Sequence, residues 1–306
     1  MPGRKRGIAG ICHNRGYCVT ENRQEKKDIR IVPFESAFST QAAALSKKVG
    51  WPHREEDWLA ALQLGAGIAA LADDKLVGTA LYWRWGQNYA SLGLVIVDPA
   101  WQGRGIGHQL VGSIVTLLSD CTIRLSATSA GQTLYEKHGF VAQGHMQQWQ
   151  CLSLPRVQSP ELSEKQVLRE ASHDDLLRLT QLDFSAHGQY RPRLLSSLLQ
   201  GEPRVIVLEE QRKVQAYAVM RRFGLGQMIG PVVSQTLSQA QQLMAYLMAT
   251  QQGCFVRSDI VEETGLGVWM QESGLQQRDR TAIMVRGSGW QATGMRNIAV
   301  MSQAMG

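Results

Sequence analysis

Hydrophobic and polar positions repeat along the chain with two periods, and these predict a regular series of strands and helices. Alternation over residues 29–34 predicts a first strand, and the apolar runs 67–72 and 76–83, joined by Asp73, Asp74 and Lys75, predict a hairpin. Further strands are predicted over 90–97, 122–127 and 140–152, and helices over 40–49, 54–64, 105–119 and 131–138.

A similar order of elements returns after a polar, proline-punctuated stretch at 154–163, which is typical of a linker. In the second series, strands are predicted over 167–170, 204–209, 214–222, 227–233, 254–257 and 281–285, and helices over 174–184, 192–200, 237–250 and 265–272. The strands 204–209 and 214–222 are predicted to form a hairpin that turns at residues 210–213. The predicted organisation is therefore a basic extension (1–28), a first domain (29–153), a linker (154–165) and a second domain (166–306). The predicted fold class is α/β (α+β), with the same order of elements in both domains but no evident sequence repetition.

Composition favours a soluble globular protein, since 44% of the residues are hydrophobic and 19% charged. No window approaches the roughly 20 apolar residues of a membrane span, and the basic start lacks the apolar core of a secretory signal. The five cysteines are odd in number and widely spaced, which favours a reducing cytoplasm. Cys12, Cys18 and His13 lack metal-site spacing, so no metal is predicted.

The net charge of +6 is compatible with either a nucleic-acid partner or a mildly basic surface. Much of the excess lies in the first 30 residues, and the rest is spread along the chain rather than striped. The sequence therefore favours the mildly basic surface, with a nucleic-acid-associated module as an alternative linked to residues 1–28.

Three glycines (Gly103, Gly105 and Gly107) lie where the predicted strand 90–97 leads into the predicted helix 105–119. Free amides and the dipole at a helix start attract anions, and glycines let the backbone approach a phosphate closely. The loop is compatible with a pyrophosphate cradle or with a simple turn. The glycine spacing differs from that of dinucleotide-binding loops, and His108 stands where a nucleoside-triphosphate loop has lysine.

A second motif, Leu134-Tyr-Glu-Lys-His-Gly-Phe140, follows about 30 residues later. Together with Gln102-Gly-Arg-Gly-Ile-Gly107 it resembles the GNAT acyltransferase superfamily, whose members bind acyl-CoA pyrophosphate in such a loop. The strings Leu125-Ser-Ala-Thr-Ser-Ala-Gly131, Ile229-Gly-Pro-Val-Val233 and Met284-Val-Arg-Gly287, with residues 297–306, resemble a bacterial two-domain subfamily. That resemblance implies tandem GNAT folds, each a mixed and mostly antiparallel sheet flanked by helices, with an active first domain and a degenerate second one.

The resemblance also implies the roles of individual residues. The strand ending at Val97 splays from its neighbour and pairs with the pantetheine arm, and Tyr135 protonates the departing CoA thiolate. The implied cofactor-binding residues are Leu94, Val95, Ile96, Val97, Gln102, Gly103, Arg104, Gly105, Ile106, Gly107, His108 and Thr128. For Tyr135, an aromatic packed under its helix is the alternative.

The chain departs from the superfamily pattern at two places. Thr128 stands where many members carry asparagine, and no glutamate lies on the strand 91–97, where the general base is often found. An attacking amine must still lose a proton. The candidate bases are His53, His138, Glu55 and Asp98, each of which is also compatible with a surface or turn position.

The second domain has no glycine run, although Ser234 or Thr236 can cap its corresponding helix, so we do not expect it to hold CoA in the usual way. Its polar cluster consists of Asp183, His187, Tyr190 and Arg191, which either closes an acceptor pocket or is a solvated helix end.

Tyr82, Trp83 and Trp85 lie on the outgoing strand of the predicted hairpin. Alternation along a strand places Tyr82 and Trp83 on opposite faces, so one set is expected in the core and the other along the acceptor groove.

The predicted function is transfer of an acyl group, with acetyl-CoA as the expected donor, directly to an unidentified amine in a ternary complex. An amide near Leu94 or Val95 polarises the thioester carbonyl. A CoA-sensing protein without turnover is the alternative. The chain is expected to be cytoplasmic, monomeric or homodimeric, and without membrane partners.

Overall fold

The computed structural model describes residues 28–289 and 292–306. Apart from Asp28, the predicted basic extension, including Cys12, His13 and Cys18, lies outside the described residues. In the described part of the chain, no helix combines the length and apolar character needed to cross a bilayer.

The described residues form thirteen strands and eight α-helices. The strands are β1 (Ile29–Pro33), β2 (Ala66–Ala72), β3 (Lys75–Trp85), β4 (Tyr89–Val97), β5 (Thr122–Ala127), β6 (Val141–Cys151), β7 (Gln166–Glu170), β8 (Arg204–Glu210), β9 (Lys213–Phe223), β10 (Gly226–Ser234), β11 (Val256–Val261), β12 (Gln276–Arg286) and β13 (Arg296–Ala299). The helices are α1 (Ser39–Lys48), α2 (Glu55–Leu64), α3 (Ile106–Leu117), α4 (Gln132–Glu136), α5 (Leu176–His187), α6 (Pro192–Gln200), α7 (Leu237–Met248) and α8 (Gly267–Glu272).

Both predicted hairpins form, and each turns through two residues. β2 and β3 pair in antiparallel register around Asp73 and Asp74, and β8 and β9 pair around Gln211 and Arg212. Gln211 and Arg212 have φ of 50° and 62°. Two consecutive positive φ values are typical of the tight turn whose twist matches paired strands.

All thirteen strands belong to one continuous sheet, in the order β1-β2-β3-β4-β5-β12-β6-β11-β13-β10-β9-β8-β7. Residues 28–153 (the first half) and 154–306 (the second half) each contribute an antiparallel run of four strands at one end. In the middle the halves exchange strands: β12 pairs with β5 and β6, and β6 pairs with β12 and β11. Each half therefore completes the sheet of the other.

Helices of both halves pack together beside the exchanged strands. A single core cluster joins Trp58, Trp83 and Leu94 of the first half to Leu194 and Tyr217 of the second. Trp83 is fully buried, and its indole N–H donates to the carbonyl of Ala61 at 2.8 Å. Because buried aromatic side chains contribute much of a core's stability, this shared cluster fixes the position of one half against the other.

The strands β11 and β13 differ from the sequence prediction. The apolar pattern predicted a short strand over 254–257, whereas β11 runs on through the buried Ser258 and Asp259. The strand accommodates this charge because the Arg257 guanidinium donates to both Asp259 oxygens, at 2.9 and 2.8 Å. β13 was not predicted, since only four residues form it.

Candidate functional site

The glycine loop forms an open cradle at the start of α3. Gly103 and Gly105 have φ of 75° and 80°, and a Cβ at either position would face open space. Among the described residues, no backbone hydrogen bond is donated by the amides of residues 103–108. Unpaired amides at a helix start create a positive site for an anion, so the loop has the geometry that a pyrophosphate requires.

Local contacts hold this loop in place and provide a cation beside it. The side-chain amide of Gln102 donates to the Val97 carbonyl at 3.1 Å, which ties the loop to the end of β4. The Arg104 guanidinium lies 4.7 Å from the centre of the Trp101 ring. Such stacking orients an arginine at low entropic cost, so Arg104 is kept near the cradle.

The two sequence motifs meet in space. A Cβ at Gly107 would lie 3.3 Å from Leu134 Cδ2, so the first turn of α3 packs tightly against α4. The rings of His108 and His138 approach to 3.2 Å between Nδ1 and Nε2. Tyr135 on α4 is therefore held beside the cradle.

The strands β4 and β5 separate beside these two helices. They pair in parallel only over Tyr89–Ser91 and Thr122–Arg124, although β4 continues to Val97 and β5 to Ala127. A β-bulge in β4 interrupts its pairing with β3 between Thr79 and Leu81, and Leu94 in this bulge has φ of 51°. Thr128 follows the end of β5 at the mouth of this separation. The result is a wedge in which the facing edges of β4 and β5 do not pair with each other.

Tyr135 is 8% exposed, and its ring packs edge-on against Phe140. Burial raises the pKa of its hydroxyl well above the ordinary value. The phenol is thus protonated throughout the neutral range and can donate a hydrogen bond. Both sequence interpretations are therefore compatible with the structure, because the ring is part of the core and the hydroxyl is a donor.

A cavity of about 610 Å³ lies between the two halves, and we call it the central cavity. Its walls combine residues from α2 and the segment before it, from β3 and β4, from α6 and β9, and from the segment after β13. The lining residues include His53, Trp83, Leu94, Arg221, Met301 and Met305. Since Leu94 lies on the wedge strand, the cavity begins where the wedge ends.

The four candidate bases differ in where they lie. Glu55 accepts hydrogen bonds from the hydroxyls of Ser39 and Thr40, and Asp98 is paired with Lys48 at 2.7 Å. His138 contacts His108 beside the cradle. Of the four, His53 alone lines the central cavity.

His53 is a neutral side chain at physiological pH. Burial, together with the charge of Arg257, lowers its pKa from 6.5 to about 4. Its Nδ1 is buried without a hydrogen-bond partner among the described residues. A neutral imidazole can accept a proton or a hydrogen bond, so His53 has the form needed to receive an amine.

The polar cluster of the second half is a buried network. Asp183, His187 and Arg191 are 0%, 7% and 1% exposed, so the prediction of a solvated helix end was wrong for these three, while Tyr190 is 53% exposed. The Arg191 guanidinium donates to both Asp183 oxygens, and the Tyr217 hydroxyl and the His187 ring also contact that carboxylate. Burial of Asp183 opposes ionisation, but the Arg191 charge keeps its pKa far below the usual range.

This network does not line the central cavity itself. Instead, Arg191 donates to the carbonyl of Gly306 at 2.7 Å, and the Ser91 hydroxyl donates to the carbonyl of Met305 at 2.8 Å. The network therefore fixes main chain that reaches the wedge.

The aromatic residues of β3 divide as alternation predicts. Trp83 lines the central cavity, and Tyr82 packs on the other face against the core beneath α3. The Trp85 indole donates to the Ser91 hydroxyl.

One group of side chains has metal-ligand chemistry. His145, Glu262 and Glu263 bring ligand atoms within 4.8 Å of one another. Arg280 already donates to both oxygens of Glu262, at 3.2 to 2.8 Å. This ion pair satisfies the carboxylate, so the group is explained without a metal.

Sequence reasoning missed the contribution of the second half to the cavity. Arg221 lies at the end of a predicted strand, and Met301 and Met305 follow a strand that was not predicted. Met301 and Met305 lie in the segment 297–306 that resembles the two-domain subfamily, but neither that segment nor Arg221 indicated a cavity. The exchange of strands that brings these residues to Leu94 is a long-range feature.

Comparisons with known proteins identify the family. Two models described as acetyltransferase (GNAT) domain match residues 65–142 and 179–297. The uncharacterized N-acetyltransferase YitH of Bacillus subtilis is 29% identical over 270 residues, which cover 86% of this chain and 93% of that protein.

Solved structures show a similar fold over nearly the whole length. A proposed acetyltransferase from Pyrococcus horikoshii superposes with a TM-score of 0.74 at 20% identity, covering 96% of this chain and all of that one. A tandem GNAT protein from the clavulanic acid biosynthesis pathway superposes with a TM-score of 0.61 at 12% identity, covering 86% of this chain and 100% of that one. The chain thus belongs to the GNAT superfamily of acetyltransferases and is a two-domain member of it.

Proposed function

We propose that the chain is an acyl-CoA-dependent N-acyltransferase with a single active cleft, the wedge between β4 and β5. The observation that carries the proposal is the open cradle at the start of α3, which meets α4 and leads along the wedge to the central cavity. The pyrophosphate binds the amides of residues 103–108 with the help of Arg104, and the pantetheine arm pairs with the main chain of Leu94 to Val97. Acetyl-CoA is the expected donor because acetyltransferases form the family.

The chemistry is direct transfer. The amine nitrogen attacks the thioester carbonyl, a C–N bond forms, the C–S bond breaks, and the CoA sulfur leaves as a thiolate. The amide of Leu94 or Val95, in or next to the bulge, polarises the carbonyl oxygen, and the positive φ of Leu94 supports this role. Tyr135 donates to the departing thiolate, since its phenol remains protonated.

The amine occupies the central cavity, and His53 accepts its proton or hydrogen bond. Since the pKa of His53 is about 4, the imidazole cannot keep that proton at neutral pH and must pass it to water. The volume of about 610 Å³, with walls that combine apolar side chains and charged ones such as Glu56 and Asp57, fits a small amine, not a folded protein surface.

Release of free CoA thiol from acetyl-CoA, measured against a panel of small primary amines, tests this function. We expect amine-dependent thiol release and an acetylated amine detected by mass spectrometry. Thiol release that does not depend on any amine, or none at all, would contradict the proposal.

A CoA-binding regulator without turnover is the second candidate. It is favoured by the absence of a glutamate on 91–97 and by the pairing of Asp98 and the hydrogen bonding of Glu55. The same assay separates the two functions, because a regulator binds CoA but releases no thiol.

A further inference from the structure

The second half contains a wedge that corresponds to the one in the first half. β10 and β11 pair in parallel only at Gln227 with Val256 and at Met228 with Arg257, and then diverge. β10 also carries a bulge, between Ile229 and Val232, opposite β9. A short parallel pairing followed by a bulge is the arrangement of β4 and β5.

The chain itself fills this second wedge. β13 pairs in antiparallel register with β10, at Val232 with Ala299, and with β11, at Ile260 with the same residue. The Val300 amide donates to the Asp259 carbonyl at 3.0 Å. A Cβ at Gly230 would lie only 2.1 Å from the Val300 carbonyl oxygen, so no other group fits beside β10 there.

The residues after β13 continue into the first half, where main-chain contacts hold them. Arg221 donates to the Met301 carbonyl at 2.7 Å, near the start of this stretch. Ala304 lies against β4, since a Cβ at Gly93 would be 2.6 Å from its Cα. The contacts of Ser91 and Arg191 described above hold Met305 and Gly306.

These residues form part of the wall of the central cavity. Met301, Ser302, Ala304 and Met305 line it together with Leu94. Leu94 lies in the bulge of the wedge strand, so the methionine side chains border the space next to the reacting carbonyl. Methionine is unbranched and adapts its shape to a neighbour, which suits a wall that determines the size of a ligand.

Given the acyl transfer proposed for the first wedge, we propose that residues 296–300 occupy the second wedge in place of a pantetheine arm, and that Met301 and Met305 are specificity-determining residues for the amine. The second half thus contributes no CoA site. It contributes the wall that selects the acceptor.

Replacement of Met305 by alanine tests the selection. Met305→Ala enlarges the central cavity beside Leu94, so kcat/KM for bulky primary amines rises relative to small ones. One or a few methylene groups in an apolar pocket change selectivity by roughly 10-fold or more. The KM for acetyl-CoA should stay within about twofold, because the cradle is untouched.

Met270→Ala is the matched control, since Met270 is also buried but belongs to the core beneath α7 and does not line the cavity. We expect it to lower stability and to leave the ratio of kcat/KM values between amines unchanged. If Met305→Ala transfers acetyl groups with the wild-type ratio between amines, the proposed selection is wrong while the acyl transfer stands.

Amide hydrogen exchange of the full-length protein, free of ligands, tests the filled wedge without requiring turnover. Amides of residues 297–300 should exchange as slowly as those of β10 and β11, because they pair on both sides. Exchange as fast as in a solvated loop would overturn the proposal. If the wild-type protein acetylates no amine, the proposed function fails, and the exchange result still decides whether the chain fills its second wedge.

Discussion

In each half a helix starts after the strand that borders the wedge, but only the first half leaves the amides of that helix start unpaired. α3 begins after Gly105 with unpaired amides and no side-chain cap. α7 begins after Thr236, whose hydroxyl accepts a hydrogen bond from the backbone N–H of Gln239. In return, the side-chain oxygen of Gln239 accepts one from the backbone N–H of Thr236. This reciprocal cap satisfies the helix start from within, so a phosphate would have to displace it.

The two clefts also differ at the leaving-group position. Tyr135 accepts a main-chain bond from Phe140 five residues on, and Met270 accepts the corresponding bond from Leu275. The second half therefore has a thioether where the first has a phenol, and its wedge contains β13. Under the proposed function, one copy of the fold provides the site for a ligand and the other copy supports it.

Separating the halves should have the largest effect, on both cooperative unfolding and CoA binding. Residues 28–153 alone lack β12, which lies between β5 and β6, so β5 and β6 would have no partner on those edges. We expect this fragment not to unfold cooperatively and not to bind CoA, as measured by circular dichroism and calorimetry. Co-expression with residues 154–306 should restore both properties, whereas a separate first half that binds CoA like the full chain would contradict the exchange of strands.

Removing the phenol makes the first cleft resemble the second. Tyr135→Phe should lower kcat by roughly 100-fold, a typical loss for one general acid, with CoA affinity unchanged because the cradle is intact. Steady-state kinetics across pH 6 to 9 measure this, with Met270→Phe as the control that keeps wild-type kcat. A Tyr135→Phe enzyme with full kcat at every pH would remove Tyr135 from the mechanism.

Acid should lower the free energy of unfolding through His187, which belongs to the buried network of the second half. Burial and the Arg191 charge lower the pKa of His187 from 6.5 to about 4. Between these values the unfolded chain binds a proton that the folded chain does not, so stability present above pH 6.5 is lost as pH falls towards 4. We expect this group to cost about 2 kcal/mol of stability between pH 7.5 and pH 5, and about 3 kcal/mol by pH 4.

Urea unfolding at pH 7.5 and pH 5 measures this effect. His187→Gln keeps a hydrogen-bonding side chain near Asp183 but cannot titrate, so its unfolding free energy should depend less on pH. Equal pH dependence in both proteins would exclude His187 as the source.

The smallest effect is expected at the amine side of the cavity. His53→Gln should lower kcat/KM for the amine by about 10-fold and leave the KM for acetyl-CoA unchanged. Because the pKa of His53 lies near 4, no inflection near pH 6.5 should be assigned to it in the wild-type profile. An inflection near 6.5 that disappears in His53→Gln would show that the imidazole titrates in the neutral range.

The sequence predicted most of the fold because its signals are local. Each half repeats strand alternation, hairpin turns and helix starts in one order, and α6 was predicted with the bounds that the structure has, 192–200. β11 was predicted too short because Ser258 and Asp259 look like turn residues until the Arg257 pair is seen. The sequence did not predict that β6 and β12 pair across the two halves, because the pattern within one strand does not identify the strand that pairs with it.

The candidate site was also predicted only in part, where its signals are local. The cradle and Tyr135 were predicted because both lie in short motifs that a loop and a helix position by themselves. The amine side was not predicted, because Arg221, Met301 and Met305 come from distant elements that only the shared sheet brings to Leu94. His53 was one of four candidate bases, and its burial in the cavity, which depends on tertiary packing, distinguishes it.

Calorimetric titration with CoA tests the central claim that a chain with two copies of the fold has one open cleft. The wild-type protein should bind one CoA per chain. Gly105→Glu, which introduces a negative charge and a strained φ into the cradle, should bind none. Gly253→Glu is the matched control, since Gly253 has φ of 78° and a Cβ there would also face open space, and it should still bind one. Two CoA molecules per wild-type chain, or one per Gly105→Glu chain, would contradict the account.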